Sequence, residues 1–159
     1  MTRRIPLFFG MGLLASTAIF AQATATTTST VTQTLAPFGL GSTETARLDL
    51  TNLASASAAG TASSCTGTVS FVNAAGATIG AATTYTVASG VTTSVSLAFT
   101  SAGFSGSRGE LRVVIAATRT SGVPCQLHVS LQTFDTSSGA THLYVADELT
   151  LATGSGGRQ

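Results

Sequence analysis

Apolar and polar residues take turns along most of this chain, and a period of two admits strands and little else. Ala46, Leu48 and Leu50 alternate with Arg47, Asp49 and Thr51. Cys65, Gly67, Val69 and Phe71 share one parity, with Thr66, Thr68 and Ser70 on the other. The pattern returns at Tyr85 and Val87, at Val95, Leu97 and Phe99, at Leu111, Val113 and Ile115, and at Cys125, Leu127, Val129 and Leu131. No stretch keeps the period of a helix, and no long repeat of the kind that builds a solenoid is present. Asn73-Ala74-Ala75-Gly76 is a turn signal that folds its strand back on Ala77–Ile79. Asp135-Thr136-Ser137-Ser138-Gly139 turns the chain again, and His142–Val145 returns. Short strands at intervals of roughly 8–12 residues, separated by Gly and Asn, predict an all-β fold. The expected architecture is a single antiparallel β-sandwich of about seven or eight strands over residues 35–150.

The N-terminus reads as an export signal. Arg3 and Arg4 precede an apolar run from Ile5 to Phe20, which ends at Ala21-Gln22-Ala23. A positive head, an apolar middle and small residues at −3 and −1 place cleavage after Ala23, so residues 1–23 are assigned as a signal peptide. The run is shorter than the roughly 20 apolar residues of a spanning helix, and Pro6, Gly10 and Gly12 interrupt it. Pro6 also stands where a twin-arginine signal wants an apolar residue, which favours export of the unfolded chain. The expected location is therefore secreted, periplasmic or at the cell surface, with no membrane span after cleavage. Residues 24–34 are Thr-rich and read as a flexible leader, with a strand from about Val31 to Leu35 that Pro37 stops. The end of the chain, 151–159, reads as a disordered tail.

The whole chain carries a formal charge of +1, with 8% charged residues and no lysine. Removing Arg3 and Arg4 leaves five arginines against six acids, or −1. That balance has no electrostatic footprint for nucleic acid and no polybasic patch for anionic lipid. Solubility then rests on Ser, Thr and Gly, and weakly charged surfaces of this kind associate readily. The expected partner is another protein, or a second copy, recruited through edge strands. One form of this is insertion of Val31–Leu35 into a neighbouring subunit.

Cys65 and Cys125 are the only cysteines. An oxidising compartment makes a single disulfide the default, and both residues have core parity. They lie 60 positions apart, compatible with a bridge between two sheets. In the chain-entropy model such a loop contributes about 4 kcal/mol. Pro124 places Cys125 at a strand entrance, and the chain lacks the Trp that packs on the bridge of antibody domains. Two buried free thiols or an intermolecular bridge are the competing readings. A redox role is disfavoured, because C-x-x-C spacing is absent.

The blocks Ala46-Arg47-Leu48-Asp49-Leu50-Thr51-Asn52-Leu53, Val69-Ser70-Phe71-Val72-Asn73-Ala74-Ala75-Gly76 and Ser130-Leu131-Gln132-Thr133-Phe134-Asp135 resemble segments of small secreted bacterial proteins. Those proteins look like Ig-like β-sandwiches without an assigned activity. The resemblance covers most of residues 35–146 and implies a fold and a compartment. It brings no catalytic or binding residue with it.

No catalytic constellation is legible. Gly103-Phe104-Ser105-Gly106 does not form G-x-S-x-G, and no Lys completes a phosphate loop. Pairing about a loop at Thr136–Gly139 sets His128 across from Asp147 rather than His142, a surface pair instead of a zinc site. Asp135-x-Ser137-x-Gly139 lacks the acidic series of a calcium loop and reads as an Asx-type hairpin turn. Asp147 and Glu148 point to opposite faces of a strand, and Asp49, Glu110 and Asp135 lie on different strands. Arg108, Glu110 and Arg112 form a modest surface ladder. A sugar platform would have to come from Tyr85, Tyr144 and a few phenylalanines. Asn52 and Asn73 lack the glycosylation context, whereas the Thr-rich leader keeps O-glycosylation open. The sequence thus predicts no enzyme, cofactor or metal site. It predicts a structural, adhesive or protein-interaction module, with a glycan- or small-molecule-binding domain as the alternative.

Overall fold

The computed structural model describes residues 26–54, 63–120 and 123–151. The signal segment 1–23, most of the small-residue loop at 55–62 and the tail from 152 lie outside the described residues. Among the described residues nine strands follow in chain order: β1 (Thr28–Thr34), β2 (Phe38–Gly41), β3 (Glu44–Asn52), β4 (Ser64–Asn73), β5 (Thr78–Ala88), β6 (Thr92–Ala98), β7 (Arg108–Thr120), β8 (Cys125–Asp135) and β9 (Thr141–Leu151). One sheet has the order β1-β7-β4-β5, with β2 continuing the β1 edge along β7. The other has the order β6-β3-β8-β9, and all pairings are antiparallel. The fold is a two-layer β-sandwich.

The alternation seen in the sequence is the alternation of burial. Ala46, Leu48, Leu50, Leu127, Val129 and Leu131 of one sheet meet Val69, Val87, Leu111, Val113 and Ile115 of the other in a single core. Each such side chain contributes about 1.5–3 kcal/mol when removed from water. The irregularity of the β4–β5 ladder is on β5, where the four-residue step from Thr83 to Ile79 answers the two-residue step from Val69 to Phe71, while β4 keeps its ladder to β7 unbroken. Val72, on the parity opposite Phe71, is buried as well.

Several boundaries differ from the sequence expectation. The Thr-rich segment is strand from Thr28 to Thr34, paired with Thr120–Val114 of β7, rather than a free leader that becomes strand at Val31. Threonine suits an edge, and the ladder to β7 supplies the backbone partners the segment cannot provide alone. β2 was not expected at all. It has four residues, two of them Gly, and exists because β7 extends past β1 and offers it a partner. The expected strands at Ala77–Ile79 and Tyr85–Val87 are one strand, β5. β9 reaches Leu151, one residue into the expected tail.

The two turns are as the sequence indicated. Asn73 Oδ1 accepts the Ala77 N–H at 2.9 Å, and Gly76 takes φ +83°. Asp135 Oδ1 accepts the N–H groups of Ser137 and Ser138, each at 2.9 Å, and both their hydroxyls. The Ser137 hydroxyl above all, then the Ser138 N–H, holds the Asp135 carboxyl well below the usual carboxylate range.

One end of the sandwich is clamped. Cys65 on β4 is bonded to Cys125, the first residue of β8, with Cα atoms 5.3 Å apart, so the bridge ties the two sheets. Beside it the fully buried Asn52 ends β3. Its amide donates to the carbonyls of Ser63 (3.2 Å) and Val87 (3.1 Å), and its Oδ1 accepts the Ala54 N–H at 3.0 Å. Val87 belongs to the opposite sheet, so this side chain is a polar bridge between layers.

Candidate functional site

The opposite end is open. Between the edge formed by β2 and the edge formed by β9, the sheets part to leave a cleft of about 470 Å³. Leu35, Phe38, Leu131, Leu143 and Val145 supply apolar wall, while Thr133, Glu44, His142 and Arg108 supply the polar groups. Arg108 also borders a second, shallower cleft, with Pro37, Gly39 and Glu110.

Glu44 opens β3 and turns back over the β2–β3 turn. Its Oε2 accepts the Gly41 N–H at 2.7 Å, and its Oε1 meets His142 Nδ1. A Cβ on Gly41 would stand 3.2 Å from Glu44 Oε2, so the glycine makes room for this carboxylate. The Gly41 N–H first, and His142 second, lower the Glu44 carboxyl below its ordinary value against the opposing effect of burial. Glu44 therefore stabilises the fold fully above about pH 4.5, and that contribution fades as acid protonates it through its lowered pKa. A Glu44→Gln variant is expected to lose about 1 kcal/mol at pH 7. Urea unfolding at pH 7 and pH 3 checks this, since the gap between wild type and variant narrows at the lower pH.

Arg108 has a different situation. Its side chain passes over Gly39, where an added Cβ would come within 2.3 Å of Nε and Nη2. Among the described residues it has no hydrogen bond and no ion pair; its charge acts on Glu44 only at longer range. Glu110, two residues along β7, is exposed and forms no ion pair with it.

The histidines are not brought together. A register shift between Thr133 and Phe134 moves the β8–β9 pairing by one, so His128 stands opposite Glu148, not Asp147. His142 takes its partner from β3, 98 residues away. Among the described residues no three of His, Cys, Asp and Glu converge. Nor do Tyr85 and Tyr144 come together as a platform; the ring pair among the described residues is Phe99 with Phe104, centroids 5.6 Å apart. Tyr85 is buried across Gly67, with its hydroxyl 3.4 Å from the Ala116 carbonyl, and burial pushes that hydroxyl up to about 12. A Cβ on Gly67 would meet Tyr85 and the Ala116 carbonyl at 2.6 and 2.0 Å, which is why glycine stands there. Tyr144 is alone and 64% exposed. No protein-family model, curated protein or solved structure matches the chain.

The edges on the other side of the sandwich are the second feature. Among the described residues β5 is an edge strand eleven residues long with no charged residue and no proline, and β6 beside it is equally uncharged. No helix among the described residues is long and apolar enough to cross a membrane.

Proposed function

We propose that this chain is an exported, non-enzymatic β-sandwich module, Ig-like in kind and bacterial in type, that associates with other chains by strand addition at its β5 edge. The observation that carries this reading is that, among the described residues, nothing pairs with the outer side of that edge. Sheet edges present unpaired N–H and C=O groups, and proteins that must stay single blunt them with Lys, Pro or inward charges. β5 has no charge and no proline, its exposed positions are Thr, Ala and Gly, and its one irregularity, the register shift near Gly80, leaves Thr83–Ala88 regularly paired with β4 as the stretch open to addition. The outward surface supplies little charge repulsion to oppose docking. Export after cleavage at Ala23 to the periplasm, cell surface or medium supports the same role, because the Cys65–Cys125 bridge suits an oxidising compartment.

Light scattering on the mature protein tests this. The wild type is expected to show concentration-dependent assembly. Thr84→Lys, in the exposed middle of β5, is expected to return it to monomer mass, while Thr30→Lys on β1 leaves assembly intact. A wild type that stays monomeric at high concentration, or a Thr84→Lys protein that assembles equally well, contradicts the reading.

A further inference from the structure

We infer that the cleft between β2 and β9 is a binding site for an organic carboxylate with an apolar body, and that Arg108 is its anion receptor. The site lies on the opposite edge from β5 and β6, so it stands or falls apart from strand addition. Three observations carry it.

First, the cavity has the size and character of a small-ligand site. Its volume of about 470 Å³ lies within the roughly 300–1,000 Å³ of such pockets, which combine apolar walls with a few polar groups. Leu131 forms buried wall, and Leu143 and Val145 extend it toward solvent, with Val145 38% exposed.

Second, the charges in the cleft are unequally occupied. Both oxygens of Glu44 are taken, one by the Gly41 N–H and one by His142. The Arg108 guanidinium has no such partner among the described residues, so the capacity left for a ligand is cationic. A guanidinium presents parallel N–H donors that match a carboxylate.

Third, the guanidinium is accessible. Arg108 is exposed, and its side chain passes over Gly39, where an added Cβ would come within 2.3 Å of Nε and Nη2, so the glycine leaves it room at the mouth of the cleft. The carboxylate meets Arg108 at the boundary of the two clefts, and the apolar body runs toward Leu131 and Leu143.

The test uses the mature protein and octanoate as probe, followed by amide chemical shifts and calorimetry. Saturable binding is expected, with shifts concentrated at Thr133, Leu143 and Val145. Arg108→Gln is expected to weaken it about tenfold or more, the loss of one charge-assisted hydrogen-bonding group. Octylamine, which has the tail without the anion, is expected not to bind, and Arg47→Gln, on the exposed face of β3 and outside the cleft lining, is expected to bind as wild type. The proposal is overturned by failure of octanoate to saturate by about 10 mM, where even a weak specific site fills. It is also overturned if Arg108→Gln binds as well as wild type, if octylamine binds equally, or if the shifts fall elsewhere.

Discussion

Replacing Cys65 and Cys125 together by alanine is expected to lower the unfolding free energy by about 4 kcal/mol. The bridge closes a 60-residue separation, and its removal frees the unfolded chain far more than it changes the folded one. Small domains have a net stability of about 5–15 kcal/mol, so the variant would retain a modest fraction and unfold at much lower urea. The bridge also joins β4 to β8, one strand from each sheet, at the end where the layers close. Its loss should therefore raise hydrogen exchange first at Cys65–Gly67 and Cys125–Leu127, rather than around Glu44. Equilibrium urea unfolding of the double variant and of the reduced wild type checks the magnitude. An unchanged midpoint, or alkylation of both thiols without reductant, would contradict it.

Asn52→Leu is expected to cost about 3 kcal/mol, although leucine is the more apolar residue at a wholly buried site. The amide satisfies the carbonyls of Ser63 and Val87 and the N–H of Ala54. Leucine would leave those groups without this partner in a place water does not reach. The damage is not local. Asn52 also links through its backbone to Val91 at 3.1 Å and to Gly90 at 2.8 Å, so β3 and the β5–β6 turn share its position. Asn52→Asp gives a second, pH-dependent readout. A carboxylate there would face two carbonyl oxygens, so burial and repulsion raise its pKa above the unfolded value. The variant should then be least destabilised below about pH 4, where the acid is neutral in both states, and lose stability as pH rises through the raised value. Thermal melts at pH 4 and pH 7 distinguish this from a simple loss of packing, which would be equal at both.

The core was legible because it is written locally. Leu48 and Leu50, Val113 and Ile115, and Leu127 to Leu131 announce their faces by parity alone, since a strand sends alternate side chains to opposite sides. The turns at Asn73–Gly76 and Asp135–Gly139 were legible for the same reason: each is closed by its own side chain within a few residues. The cleft was not legible. Glu44 meets His142 across 98 residues, and Arg108 comes to rest on Gly39 only because β2 pairs with β7. Asn52 gave no signal beyond its lack of glycosylation context, because its partners sit on strands that the sequence does not order.

By itself, then, the chain determined its all-β, two-layer class, its alternating core strands and the core parity of its cysteines, all of which follow from short-range sterics and the exclusion of apolar groups from water. The tertiary structure alone decided which strands are neighbours, how β8 and β9 slip by one residue at Thr133, and where the sheets part. Hydrogen-bonded ladders are chemically alike along their whole length, so pairing and register are settled only when the two layers close on a common core and leave some edges, and the Arg108 guanidinium at the cleft, without a partner among the described residues.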